Sequence, residues 1–234
     1  MKQTHWMAAA TLAVFTLPLR PAMKTGQEDR TWTTDFEIER DQLTSSGRNP
    51  YFVLDPGYTL RLADATDTLI ITVLATTKVV DGIETRIVEE RESSRGRLVE
   101  VSRNFYAISR RTSSVYYFGE EVDMYQYGRI TSHEGAWLAG VKGARLGLMM
   151  PGLPLVGGKY YQEMAPGTAM DRAEILGASE TLRVPAGEFR NVLRTLESSA
   201  LEPGKEPKLY GPNVGLLQDG SMKLVKSGRE TGTD

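Results

Sequence analysis

The stretch "TLIITVLATTKVVDGIETRIVEE", residues 68–90, decides how this chain is read. Its first half is β-branched at nine of thirteen positions, which suits a strand buried on both faces better than a helix. Asp81-Gly82 then supplies the dipeptide that a primed two-residue hairpin turn needs, since both central positions take positive φ. The second half places Ile87 and Val88 among charges and reads as a half-exposed strand, and as a candidate edge of the sheet.

The same punctuation continues on both sides. "LDPGYTLRL" turns at Asp55-Pro56-Gly57 into a strand, and "GRLVEVSRNF" and "SSVYYFGEEVDMY" follow the first hairpin. "AEILGASETLRV" is joined to "FRNVLRTLESSAL" by Pro185-Ala186-Gly187. "KLYGPNVGLL" and "SMKLVKSG" are separated by Asp219-Gly220. Phe189, Val192, Leu193 and Leu196 could share one face of a helix, but the turn before them favours a strand paired with its predecessor. Short, turn-bounded segments at intervals of about a dozen residues predict a mainly β fold. The expected form is a single antiparallel sheet that closes or curls over itself, a half-barrel, barrel or sandwich, with few or no helices beyond a leader.

The ends read differently from the middle. Lys2 precedes an apolar run over residues 6–19, too short to span a bilayer and typical of a signal peptide, with Ala22 a suitable last residue. The expected organisation is a leader over 1–22, a polar segment over 23–48, a β-rich domain over 49–226 and a polar tail over 227–234. Removing the leader takes Lys2 and Arg20 from 28 basic residues, leaving 26 against 30 acidic ones and a formal charge of −4. That balance argues against nucleic acid as a partner. No transmembrane span is expected in the mature chain, and the destination is the periplasm or the medium. With 234 residues, 40% apolar and no cysteine, burial and strand pairing must hold the domain together without disulfides, and thiolate chemistry is excluded.

Two stretches could carry chemistry. In residues 115–137, Glu120, Glu121, Asp123, His133 and Glu134 crowd around a turn at Gly128. On a strand Glu121 and Asp123 share a face and Glu120 lies on the other. Three readings stand: a solvated strand face; a Ca²⁺ site on Glu121 and Asp123; or acid/base catalysis by Glu121, Asp123, His133 or Glu134. No other cofactor is indicated. A second histidine four residues beyond His133 for zinc, a G-x-S-x-G elbow and a phosphate-binding glycine loop are all missing, and the other histidine, His5, falls in the expected leader.

In "GARLGLMMPGLPLVGGKYY" the residues Leu148, Met149, Met150, Leu153 and Leu155 form an apolar, irregular segment followed by Tyr160 and Tyr161. It is either a loop capping the core or a lip over an apolar cavity, with the tyrosines as a polar rim.

The strings "NPYFVLDPGYTL", "VYYFGEEVDMY", "ITSHEGAW", "GLMMPGLPLVGGKYYQE", "VPAGEFRNVLRTLES" and "YGPNVGLLQDG" resemble a family of exported bacterial proteins without assigned function, over about Asn49 to Lys226. The resemblance implies a secreted or periplasmic β-rich domain, a half-barrel or barrel of the lipoprotein-carrier or lipocalin kind, and brings no catalytic residues. The expectation is an exported binding protein holding an apolar or amphipathic, lipid-like molecule in a curved sheet. The alternatives are a carboxylate-dependent enzyme outside the cytoplasm and a structural or partner-binding envelope module.

Overall fold

The computed structural model describes residues 32–229. The expected leader lies outside them. Apart from a 3₁₀ turn at Arg40–Gln42, the regular structure among the described residues is strand.

The wall is built from β1 (Tyr58–Ala63), β2 (Asp67–Val80), β3 (Ile83–Ser94), β4 (Arg97–Ser109), β5 (Val115–Gln126), β6 (Arg145–Met150), β7 (Lys159–Tyr161), β8 (Glu163–Met164), β9 (Asp171–Val184), β10 (Gly187–Ser199), β11 (Glu206–Gly211), β12 (Gly215–Asp219) and β13 (Met222–Arg229). The order across the sheet is β7-β9-β10-β11-β12-β13-β1-β2-β3-β4-β5-β6-β8, and each of these pairings is antiparallel. Its two ends are one run of chain. Tyr160 pairs with Ala173 of β9, while Glu163, three residues on, pairs with Leu146 of β6. The sheet therefore wraps into a nearly closed barrel, which leaves little open edge for another chain to pair with.

The local signals explain the hairpins. Asp81 and Gly82 have φ of 48° and 73°, as the primed turn requires. β10 is a strand throughout, paired on both sides, and so not the helix its spacing allowed. β3 corrects the sequence reading. It is no edge, because β2 and β4 flank it, and its alternate charges Glu90 and Glu92 point to the barrel interior. β13 runs to Arg229, three residues past the expected end of the β-rich domain.

Between Val73 and Thr77 β2 carries two residues more than β3, and the displaced carbonyls of Leu74, Ala75 and Thr76 are collected by Arg86 Nη1 at 3.3, 2.7 and 3.4 Å. The bend lays the hairpin tip over the outside of the wall, with Lys78 Nζ 4.6 Å from the centre of the Phe105 ring. One barrel end is stoppered by a short hairpin pairing Arg48–Asn49 with Phe52–Val53. Asn49 Nδ2 donates to the Ser113 and Pro151 carbonyls at 2.8 and 2.9 Å, and Tyr51 Oη donates to Asn191 O at 3.0 Å. These bonds reach two loops on one side of the wall and β10 on another, so the stopper fixes the diameter there.

Candidate functional site

The acidic stretch around Gly128 divides between two faces as strand alternation predicts. Glu121 and Asp123 lie on the outside. Exposed Glu121 pairs with Lys78, and Asp123 pairs with Arg103 at 3.1 Å, whose Nε also lies 3.4 Å from Glu89. His133 Nδ1 sits 2.7 Å from the Val122 carbonyl and 3.0 Å from Asp123 Oδ1, two acceptors, so that nitrogen carries the proton. The structure thus brings Asp123 and His133 together and leaves Glu121 and Glu134 apart from them. No cleft encloses the pair, His133 being 68% exposed. Among the described residues no three His, Asp or Glu side chains are placed to share a metal ion. Glu121 and Asp123, the two acids expected for Ca²⁺, are each engaged by a different cation, Lys78 and Arg103.

Glu120 points the other way, and a bulge determines what accompanies it. Asn104 faces Glu120 and Tyr106 faces Tyr117, so β5 carries one residue more than β4 in that interval. Gly119 absorbs it at φ 123°, where a Cβ would lie 2.3 Å from the Trp137 carbonyl oxygen. The result puts Tyr117 and Glu120, three apart in sequence, on the lumen face together.

Around that lumen the other strands contribute acids. β3 gives Glu90 and Glu92, β4 gives Glu100 and β8 gives Glu163; β9 and β10 give Asp171 and Glu197, and β11 and β12 give Glu206 and Asp219. Among the described residues one ammonium, Lys208, stands with them, 3.2 Å from Glu197 and 3.4 Å from Asp219. Glu197 Oε1 also accepts from Gln162 Nε2 at 3.2 Å and Tyr210 Oη at 3.1 Å. No ion pair among the described residues joins Glu90, Glu92, Glu100, Glu120 or Glu163 to a cation.

Enclosure by the wall disfavours charge on these acids. Burial, reinforced by the charges of Glu100 and Glu90, pushes Glu120 up to about 8. Burial raises Glu90 to about 7 against the pull of Lys208, and Glu92 to about 7 with Glu100 adding to it. Glu163 is driven well above the carboxylate range by burial and then by Glu120. Burial opposes the Lys208 ammonium as well, but Asp219 and Glu197 outweigh it and hold the proton on. Lys208 is surrounded by the wall yet keeps 25% of its side-chain surface, because it lines an internal cavity.

That cavity, about 70 Å³, sits where the charged lumen meets the stoppered end. Phe52, Leu60, Val73 and Val88 make its apolar floor, and Glu90, Lys208 and Asp219 its polar side. Tyr106 bridges the two, edge-on to Phe52 and stacked on Tyr117 at 4.7 Å. The lumen is therefore graded along its axis: apolar at the stopper, mixed in the middle, and acidic toward the far end, where Asp171 and Glu206 are exposed.

The apolar segment predicted as a lip is split by this geometry. Met149 lines the cavity and Met150 is buried at 1% exposure, while Leu148 packs beside Tyr116. Leu153 and Leu155 are 76% and 65% exposed and do not line it. Tyr160 faces the lumen; Tyr161 faces outward, edge-on to Trp32. A cavity of 70 Å³ is smaller than one of about 150 Å³ that accepts benzene. A long acyl chain does not fit in it.

Fold and site together define a nearly closed antiparallel β-barrel with an acidic, partly apolar lumen. No family model matches the chain, and no curated protein matches it. Among solved structures it is similar to a Bacteroides fragilis protein with a YmcC-like fold, provisionally described as exported, with 12% identity and a TM-score of 0.38, over 78% of this chain and all of that one. A likeness this slight fixes neither fold nor function. No described helix is long and apolar enough to cross a membrane.

Proposed function

We propose that this is an exported binding protein whose lumen receives a small amphipathic molecule. The observation that carries this reading is the cavity at the junction of the apolar floor with Glu90, Lys208 and Asp219. A site with one greasy wall and a few convergent polar groups suits a ligand with both characters. Charged side chains kept inside a barrel are otherwise hard to reconcile with stability, since well-packed apolar residues in their place are often no worse. The reading keeps the amphipathic ligand expected from the sequence, moves it from the 144–156 segment into the lumen, and limits its apolar part to a few carbons.

The test is a thermal-shift titration with three- to five-carbon amphiphiles (alcohols, carboxylates and amines), on the wild type and on Ile71→Phe, which fills the cavity from its wall. At least one compound should raise the wild-type midpoint with concentration, approaching about 2.7 kcal/mol of stabilisation at a hundred times its Kd, and not that of the variant. If no compound raises it, or if the filled variant responds equally, the lumen is not a binding site. Val88→Phe provides an independent filled cavity should Ile71→Phe fold poorly.

A further inference from the structure

We infer that the polar group received by the lumen is a cation: the ligand is a small organic amine, its ammonium set among Glu90, Glu120 and Glu163 and its short apolar stem on the cavity floor. This rests on the lumen being the binding site and adds the charge of what binds there. The one lumen ammonium among the described residues, Lys208, is already committed to Glu197 and Asp219. The remaining inward acids have no cationic partner among the described residues, and their raised proton affinities are those of carboxyl groups lacking a counter-charge.

Two further groups point at the same space. Tyr160 pairs with Ala173, and Ala173 with Glu197, so all three side chains lie on one face; yet the Tyr160 hydroxyl, in a residue 4% exposed, has no hydrogen-bond partner. Trp137 lies directly opposite Glu120, on its face, and its buried Nε1 is likewise unpartnered. Buried polar atoms of this kind call for an explanation, and a ligand is one. A phenol can accept from an ammonium, and the indole can donate to a hydroxyl or carbonyl the amine carries. An organic cation is favoured over a metal ion, because among the described residues no three His, Asp or Glu side chains are placed to share one.

The experiment compares n-butylamine, n-butanol and butyrate at pH 8 by calorimetric titration of wild type, Glu90→Gln, Glu120→Gln and Glu163→Gln. The amine should bind at least tenfold more tightly than the alcohol, butyrate should not bind, and each amide variant should weaken the amine by tenfold or more and the alcohol by clearly less. Equal binding of amine and alcohol, with the variants indifferent, would overturn the charge assignment and leave the lumen site standing. Failure of all three probes would remove the site itself. Ca²⁺ alone binding to the wild type and failing to bind the same variants would overturn the organic cation in favour of a metal.

Discussion

Lys208 is the residue on which the lumen turns, because among the described residues it alone offsets the inward acids and spans Glu197 and Asp219 at 3.2 and 3.4 Å. Replacing it by methionine keeps the bulk and strands two enclosed carboxylates, a change that costs about 3–5 kcal/mol when one member of a buried pair is removed. Chemical denaturation of Lys208→Met at pH 8 should show a loss of that size. Asp219→Asn added to it should restore part, so that the double-mutant cycle gives a favourable coupling between the two residues. Glu121→Gln makes the contrast. Its carboxylate pairs with Lys78 on the outer face, and its loss should change stability by less than about 0.5 kcal/mol. The sequence places Glu120 and Glu121 side by side and alternation puts them on opposite faces, but nothing local says which face is the inside. Proximity in sequence therefore drew attention to Glu121, Asp123 and His133, while the acids that do converge come from strands as far apart as β3 and β12.

Elements set that convergence. The hairpins were legible because their turns have strong local chemistry, Asp81-Gly82 above all. The bulges were not, since an extra residue on one strand is defined only against its partner. Glu90 and Glu92 on "VEERESS" illustrate the consequence: alternate charges look solvent-facing until closure of the sheet turns that face inward. Closure depends on the run 159–164, and Gly147 brings β6 close against it, since a Cβ there would lie 2.1 Å from the Gln162 carbonyl oxygen. Gly147→Ala should force the seam apart at a cost of about 1–3 kcal/mol, as overpacked sites do. Hydrogen exchange should then quicken in β7 and β8 but not in the β2–β3 hairpin. Uniform protection across the variant would mean that the seam does not hold the barrel shut. Arg86→Met should cost a comparable amount, about 1–3 kcal/mol, by leaving the carbonyls of Leu74, Ala75 and Thr76 without their donor.

At the scale of the whole molecule the lumen makes stability depend on pH in an unusual direction. Glu90, Glu92 and Glu120 hold protons up to about 7, 7 and 8 in the folded protein, whereas an unfolded glutamate releases its proton near 4.3. Between those limits the native state binds more protons, so the free energy of unfolding falls as pH rises. The stabilising contribution is complete below about pH 4 and is lost on passing through 7 to 8. The thermal midpoint should therefore be higher at pH 5.5 than at pH 8.5, each kcal/mol amounting to about 2–4 °C in a chain of this size. Glu120→Gln should flatten the slope. The architecture was legible in the sequence as a curled antiparallel sheet; the polarity of its interior was not, since a soluble barrel is expected to fill with apolar side chains. The central claim is that these acids face an enclosed lumen, and carbon-detected NMR titration of the glutamate side-chain carboxyls tests it most directly. The account predicts a group of glutamates, assigned by the Glu90→Gln, Glu92→Gln and Glu120→Gln variants, titrating near pH 7 to 8, whereas a full set titrating between about 3.5 and 5, as solvated glutamates do, would contradict it.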